Sequence, residues 1–169
     1  MIANQASFIV TDRLSAWIAE RAAALAPEIV VALPTLGHVY GIGVARALGH
    51  PNWAALGTSR KLWYDEALSV PLSSITSPAG GRRLWLDPRI LDRLIGRRVL
   101  LVDDVISTGT SARAGLAVLA AAGITPVGFA VAMEQTQRWR TEWPAAIPVV
   151  SAFRTPLFHR DGEGWIETP

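Results

Sequence analysis

The sequence predicts an α/β fold: a mostly parallel central sheet with helices on both faces, carrying a flexible hairpin and a small C-terminal hood. Two observations lead there. Short apolar runs at residues 28–33, 99–102, 127–133 and 147–152 alternate with helix-like segments, which is the pattern of a parallel sheet covered on both faces. Val99-Leu-Leu-Val102 is also a continuous apolar run rather than an alternating one, the mark of a strand buried on both sides. With 169 residues, 50% of them apolar, the chain suffices for one domain with a real core, read here as spanning 1–169.

The elements follow in order. Thr11-Asp12 is placed to cap an amphipathic helix to about Ala26, with Leu14, Trp17, Ile18, Ala22 and Leu25 on one face and Pro27 as its stop. Residues 28–33 read as a buried strand, Pro34-Thr-Leu-Gly37 as a turn, and residues 39–48 as a helix closed by Gly49 and Pro51. Residues 53–58 read as a second strand. Residues 60–66 have no clear period. Residues 72–76 and 83–86 read as two strands joined by Ser77-Pro-Ala-Gly-Gly81, a hairpin that makes residues 60–86 a projecting flexible loop. A short helix from Asp87 to Leu94 ends at Gly96. After the strand at 99–102 and a hydroxyl-rich loop come a helix over 112–122 and strands over 127–133 and 147–152.

Composition excludes several classes. The chain has no Cys, so no disulfide framework, thiolate metal site or Cys nucleophile exists, and a reducing cytoplasm is the expected setting. No apolar run reaches membrane-spanning length, and the first residues lack the basic flank and apolar stretch of a signal peptide. The net charge is only +2 and the Arg residues are scattered, so nucleic acid is not an expected partner. Lys61 is the one Lys among 16 basic residues. Gly41-Ile-Gly43 begins like a dinucleotide fingerprint, but Arg46 takes the third small-residue position, inside the expected helix. His38, His50 and His159 have no metal-ligand spacing.

The chemistry gathers after residue 102. Ligands of an open parallel sheet collect beyond the carboxyl ends of its strands, and Asp103 and Asp104 stand there. Two adjacent carboxylates at a buried strand end repel each other and lose solvation, so they need hydroxyls, a metal or Arg as partners. Ser107-Thr-Gly-Thr-Ser111 is small, hydroxyl-rich and opens a helix, so its backbone N–H groups can converge on an anion. An acidic patch for a polyol beside a cradle for a phosphate asks for a sugar phosphate.

Val99-Leu-Leu-Val-Asp-Asp-Val-Ile-Ser-Thr-Gly-Thr-Ser111 resembles the 13-residue signature of the type I phosphoribosyltransferases. These enzymes use 5-phosphoribosyl-1-pyrophosphate (PRPP) with Mg²⁺. The resemblance implies that Asp103 and Asp104 face the ribose hydroxyls and that Ser107, Thr108, Gly109, Thr110 and Ser111 hold the 5′-phosphate. It implies that Mg²⁺ is held mostly by substrate oxygens, with Asp103 and Asp104 as its protein ligands. The family form has two Gly before a Thr near the loop end; here the order is Gly109-Thr110-Ser111. Thr35, Leu36, Gly37 and His38 fall where the family has its pyrophosphate loop. Arg60-Lys61 and the hairpin after it are similar to the basic pair and mobile hairpin of the xanthine and adenine phosphoribosyltransferases and the purine-operon repressor domain. Arg60 and Lys61 would meet pyrophosphate charge.

Base recognition is the least determined part. Glu134 and Gln135 stand where the xanthine-type relatives place an acidic-Lys pair, and Ile106 is a further base contact. An amide both donates and accepts, so Gln135 does not select one base. Residues 153–169, with Phe153, Phe158 and Trp165, form the expected hood; the same aromatics serve equally as core or dimer contacts. Glu134 and Glu66 are general-base candidates by position alone. The expected activity is transfer of the phosphoribosyl group of PRPP to a nucleobase, a purine first, in purine salvage, by a cytoplasmic homodimer. A non-catalytic PRPP-binding regulatory domain would keep the same loop, and a pyrimidine-type transferase is a third reading. About 27 residues precede the first core strand, short for a DNA-reading domain, so the enzyme is the expected case.

Overall fold

A computed structural model describes residues 3–72 and 82–168. Ile29–Ala32 forms β1, all four residues buried, and runs parallel to Ala54–Ala55, β2, on one side. The helix α1, Phe8–Ala22, precedes β1, and α2, Gly37–Ala47, connects it to β2. Ser69–Pro71, β3, pairs antiparallel with Arg83–Trp85, β4. Val99–Ile106, β5, lies beside β1, with Ile29 opposite Val99 and Ala32 opposite Val102. The helix α3, Thr110–Ala121, leads to Gly128–Gln135, β6, and that strand is flanked by Val149–Thr155, β7. Leu157–Asp161, β8, and Gly164–Thr168, β9, close the chain as an antiparallel pair. The central sheet is wholly parallel in the order β2-β1-β5-β6-β7, as the alternation of the sequence predicts.

The sheet divides the core by the two-residue strand period. Val30, Leu100, Val102, Ala130 and Ala132 pack with α1 and α2 on one face. Ile29, Val31, Leu101, Phe129 and Val131 pack with α3 and the β3–β4 pair on the other. Full burial of each Val, Ile, Leu or Phe among them contributes about 1.5–3 kcal/mol. Gly41 and Gly43 stand where a Cβ would overlap Ala32 and Ser15, so that glycine pattern serves the seating of α2 on β1 and α1.

Element boundaries differ from expectation for local reasons. Helix α1 starts at Phe8, not at a Thr11 cap; Phe8 and Ile9 are exposed, so apolar periodicity did not mark the first turn. Thr11 lies within the helix, its hydroxyl donating to the Phe8 carbonyl at 3.1 Å. A 3₁₀ turn over Ala23–Leu25 and a left-handed Ala26 finish the segment. The second strand shrinks to Ala54–Ala55, prolonged by Leu56 N–H bonding to Ala32 at 3.0 Å. The helix expected from Asp87 is a 3₁₀ turn, Pro88–Arg93, capped by the Asp87 carboxylate on Arg89 N–H. The first hairpin strand is Ser69–Pro71, earlier than expected; residues 73–76 and the turn at 77–81 lie outside the described residues. Strand β5 continues three residues beyond the acidic pair's first member, because β6 pairs with it up to Ile106.

Candidate active site

Strand β1 hands the chain to β2 on one side while β5 hands it to β6 on the other, so the crevice between β1 and β5 is the switch point of the sheet. The two chain segments that leave there are in contact. Leu33 N–H donates to the Val102 carbonyl at 2.9 Å. Gly37, the first residue of α2, lies so close to β5 that a Cβ on it would stand 2.6 Å from Asp103 Oδ1 and 2.9 Å from Asp103 Cα. Its φ is not in the left-handed region; Gly is required by proximity rather than by conformational freedom.

Asp103 is buried at 7% exposure and accepts the Asp104 N–H at 2.9 Å. Burial, and then the charge of Asp104, push its carboxyl well above the usual 3.8. Asp104 is half-buried. The Tyr40 phenol below it is pushed up to about 12 by burial and by the Asp104 charge, and its hydroxyl donates to Ala3 O at 2.7 Å. The acidic pair is thus an uncomfortable one that hydroxyls or a cation would relieve.

The loop 107–111 follows directly. Gly109 has φ +78 and is the N-cap of α3, a conformation that a Cβ disfavours. Thr108 and Thr110 hydroxyls lie 3.1 Å apart, and Thr108 and Ser111 are exposed. The first N–H groups of α3 have no intrahelical acceptors, an arrangement able to receive an anion.

Other expected residues are placed less simply. Thr35 and Leu36 are exposed beside Gly37. His38 is turned to the sheet: its Nε2 lies 3.1 Å from the Leu56 carbonyl, which can only accept, so Nε2 carries the proton. Arg60 pairs with Glu66 at 2.9 Å, and Arg83 reaches the same carboxylate at 3.7 Å, so Glu66 is committed to charge pairing rather than standing as a general base. Lys61 is exposed on a cavity of about 540 Å³ whose described lining is Arg60, Lys61, Leu62 and Trp63; the acidic pair and the phosphate loop are not among those residues.

The base contacts need correction. Ile106 is 1% exposed within the core, so it offers no surface to a ligand. Glu134 is 3% exposed and its carboxylate accepts from Arg140 at 3.1 Å, Arg154 at 3.0 Å and Ser151 at 3.4 Å, which spends its lone pairs on structure. Beyond β6 and β7 a cavity of about 240 Å³ is lined by Thr136, Gln137, Arg154, Thr155 and Glu167 with Glu134 at its floor; Gln137 faces it, whereas Gln135 does not line it. Of the tail aromatics, Phe153 belongs to β7 rather than to a hood and packs against the core, because β6 extends its pairing that far; Phe158 on β8 and Trp165 on β9 are 55% and 70% exposed.

Sequence reasoning missed Thr136, Trp139 and Arg113. The Thr136 hydroxyl donates to the Ser107 carbonyl at 3.2 Å, Arg113 donates to the Thr108 carbonyl at 3.1 Å, and Trp139 packs against Gly109. These residues sit outside the contiguous motif, and no spacing rule links them to it. For Mg²⁺ the adjacent carboxylates are a hard oxygen set of the right kind. Among the described residues no group of three or more His, Asp or Glu could hold a metal. Among the same residues no helix is long and apolar enough to cross a membrane.

Comparison with known proteins agrees with this geometry. Residues 1–147 match the family model of the phosphoribosyl transferase domain. Orotate phosphoribosyltransferases of Xanthomonas axonopodis and Nitrosospira multiformis are 54% identical over 44 residues and 43% over 60, which is 26% and 36% of this chain. Those stretches span only 20% and 26% of the relatives' own lengths. Among solved structures, adenine phosphoribosyltransferase from Thermoanaerobacter pseudethanolicus superposes with a TM-score of 0.70 at 19% identity, covering 87% of this chain and 81% of that one. The adenine enzyme of Rhodothermus marinus gives 0.66 at 26%, covering 85% and 78%. A β1–β5 crevice carrying Asp103-Asp104 and the loop after it, in a fold shared across most of both chains, together with a family match over residues 1–147, places this chain in the phosphoribosyl transferase domain family, with the type I fold.

Proposed function

We propose that the chain transfers the 5-phosphoribosyl group of PRPP to a nucleobase and releases pyrophosphate. The observation that supports this most is the meeting of Gly37 with Asp103 at the switch point, with the phosphate-type loop 107–111 immediately after. In this reading Asp103 and Asp104 accept from the ribose hydroxyls, loop N–H groups hold the 5′-phosphate, and the turn at 35–37 with Arg60 and Lys61 meets the leaving group. A ring nitrogen of the base forms the new bond to the anomeric carbon, and the proton the base gives up passes to the departing pyrophosphate or to water. The bond from that carbon to the pyrophosphate oxygen breaks, its electron pair leaving with pyrophosphate, through an oxocarbenium-like transition state. Most of the rate then comes from positioning and from neutralising developing phosphate charge. Mg²⁺, when bound, would supply further positive charge to the substrate's phosphate oxygens. A homodimer and a cytoplasmic setting belong to the same proposal.

A purine is the first acceptor, in keeping with the adenine enzymes that share the fold. A pyrimidine is the second, because the curated relatives with 43–54% local identity are orotate enzymes. The experiment is pyrophosphate release from PRPP with Mg²⁺ across adenine, guanine, hypoxanthine, xanthine, orotate and uracil. Release with a purine is expected. Release with orotate alone selects the pyrimidine reading, and calorimetric PRPP binding without release on any base selects a PRPP-binding regulatory domain.

A further inference from the structure

A trans peptide unit is planar, so its C=O and N–H point in opposite directions. Fixing one carbonyl therefore aims the next residue's N–H. Two carbonyls of the loop 107–111 are held by side-chain donors. The Ser107 carbonyl accepts from the Thr136 hydroxyl at 3.2 Å and the Thr108 carbonyl accepts from Arg113 at 3.1 Å. The N–H groups of Thr108 and Gly109 are thereby each turned away from the side chain that holds the carbonyl before it.

One donor, Thr136, opens a strap, residues 136–142; the other, Arg113, stands on the first turn of α3 and is tied to that strap through Glu142. The Thr136 hydroxyl that donates to Ser107 also accepts the Arg138 N–H at 3.2 Å. Trp139, 4% exposed, puts its Cβ 3.0 Å from where a Cβ on Gly109 would stand. Arg113, bound to Thr108 by one nitrogen, pairs with Glu142 at 2.9 Å by another. Thr136 has φ +69, a left-handed conformation that a β-branched residue adopts only under constraint from its surroundings. Gly or Asn would relieve that backbone, yet neither carries a hydroxyl there.

We propose that Thr136 and Arg113 are positioning residues of the phosphate site: the strap and Arg113 together preset the loop's N–H groups for a sugar 5-phosphate, and the strained backbone at Thr136 is kept for its hydroxyl. The inference rests on the phosphoribosyl reading above.

The test titrates ribose 5-phosphate, and separately PRPP with Mg²⁺, into the purified chain by calorimetry, with melting temperatures in parallel. Thr136→Val keeps the shape and removes the hydroxyl; it should weaken ribose 5-phosphate binding roughly tenfold, the scale of one buried hydrogen bond. Thr136→Ser should bind within about twofold of wild type. Thr136→Gly relieves the backbone, so it should melt at or near the wild-type temperature and still bind as weakly as the Val variant. Arg113→Ala should show a similar loss, partly restored in Arg113→Lys. A purely structural role would make affinity follow melting temperature instead. Wild-type affinity in folded Thr136→Gly and Arg113→Ala overturns the proposal, and the Gly variant carries the test should the Val variant not fold. A wild-type chain that binds neither ligand overturns the phosphoribosyl reading itself.

Discussion

Gly37→Ala probes the junction on which the site depends. The new methyl would stand 2.6 Å from Asp103 Oδ1, 2.9 Å from Asp103 Cα and 3.3 Å from the Val102 carbonyl. Two of these three atoms are backbone, so no side-chain rotation removes the clash. Ordinary contact begins near 3.4 Å, so α2 and β5 must separate by about 0.5–0.8 Å. Overpacking of this kind costs about 1–3 kcal/mol, or about 2–12 °C in melting temperature for a chain of this size. The functional effect is larger, since a displacement approaching 1 Å at a site that orients substrate costs on the order of 10²-fold. PRPP affinity in the presence of Mg²⁺ should therefore fall by about 10- to 100-fold. Gly49→Ala is the control. Gly49 has φ +75 and nothing within 4 Å of a Cβ, so it pays about 1–2 kcal/mol of left-handed strain and should bind PRPP as the wild type does. Calorimetric titration with scanning calorimetry of both variants decides the matter. If Gly37→Ala loses no more stability than Gly49→Ala and binds PRPP with wild-type affinity, the contact between the turn and the acidic pair has no part in binding.

Three further outcomes follow from the geometry. Asp103→Asn should remove PRPP binding while leaving the free protein at least as stable at neutral pH. The wild-type carboxyl is raised above 3.8 by burial and by Asp104, so the folded state holds the extra proton, and stability declines as pH rises from 3.8 through the raised value. The variant should lack that decline in urea titrations at a series of pH values, and wild-type PRPP affinity should rise with pH over the same window. Lys61→Ala should lower turnover on the order of 10²–10³-fold with little change in melting temperature, measured as pyrophosphate release; full activity would remove Lys61 from the site. Glu134→Gln should destabilise by about 1–3 kcal/mol in urea, because Arg140 and Arg154 lose their shared charge partner, and an unchanged midpoint would refute the structural role given to this carboxylate.

The hydroxyl-rich loop and the acidic pair were legible in the sequence as one strand-end cluster because they are contiguous. Residues 99–111 carry strand, carboxylates, hydroxyls and the turn glycine in one run. The parallel sheet was legible for a similar reason, since runs such as 28–33 and 99–102 are buried whatever they pack against. What the tertiary structure decided are the roles of residues whose partners lie far along the chain. Gly37 is needed for Asp103, His38 is spent on Leu56, and Glu134 is neutralised by Arg140 and Arg154. Ile106 is claimed by the core, and Thr136 is recruited to the Ser107 carbonyl. A side chain's type states which bonds it can make. Which of them it makes depends on the atoms that folding brings within about 3 Å, and for these residues that is set by the packing of the strap and α2 against the ends of β1, β5 and β6.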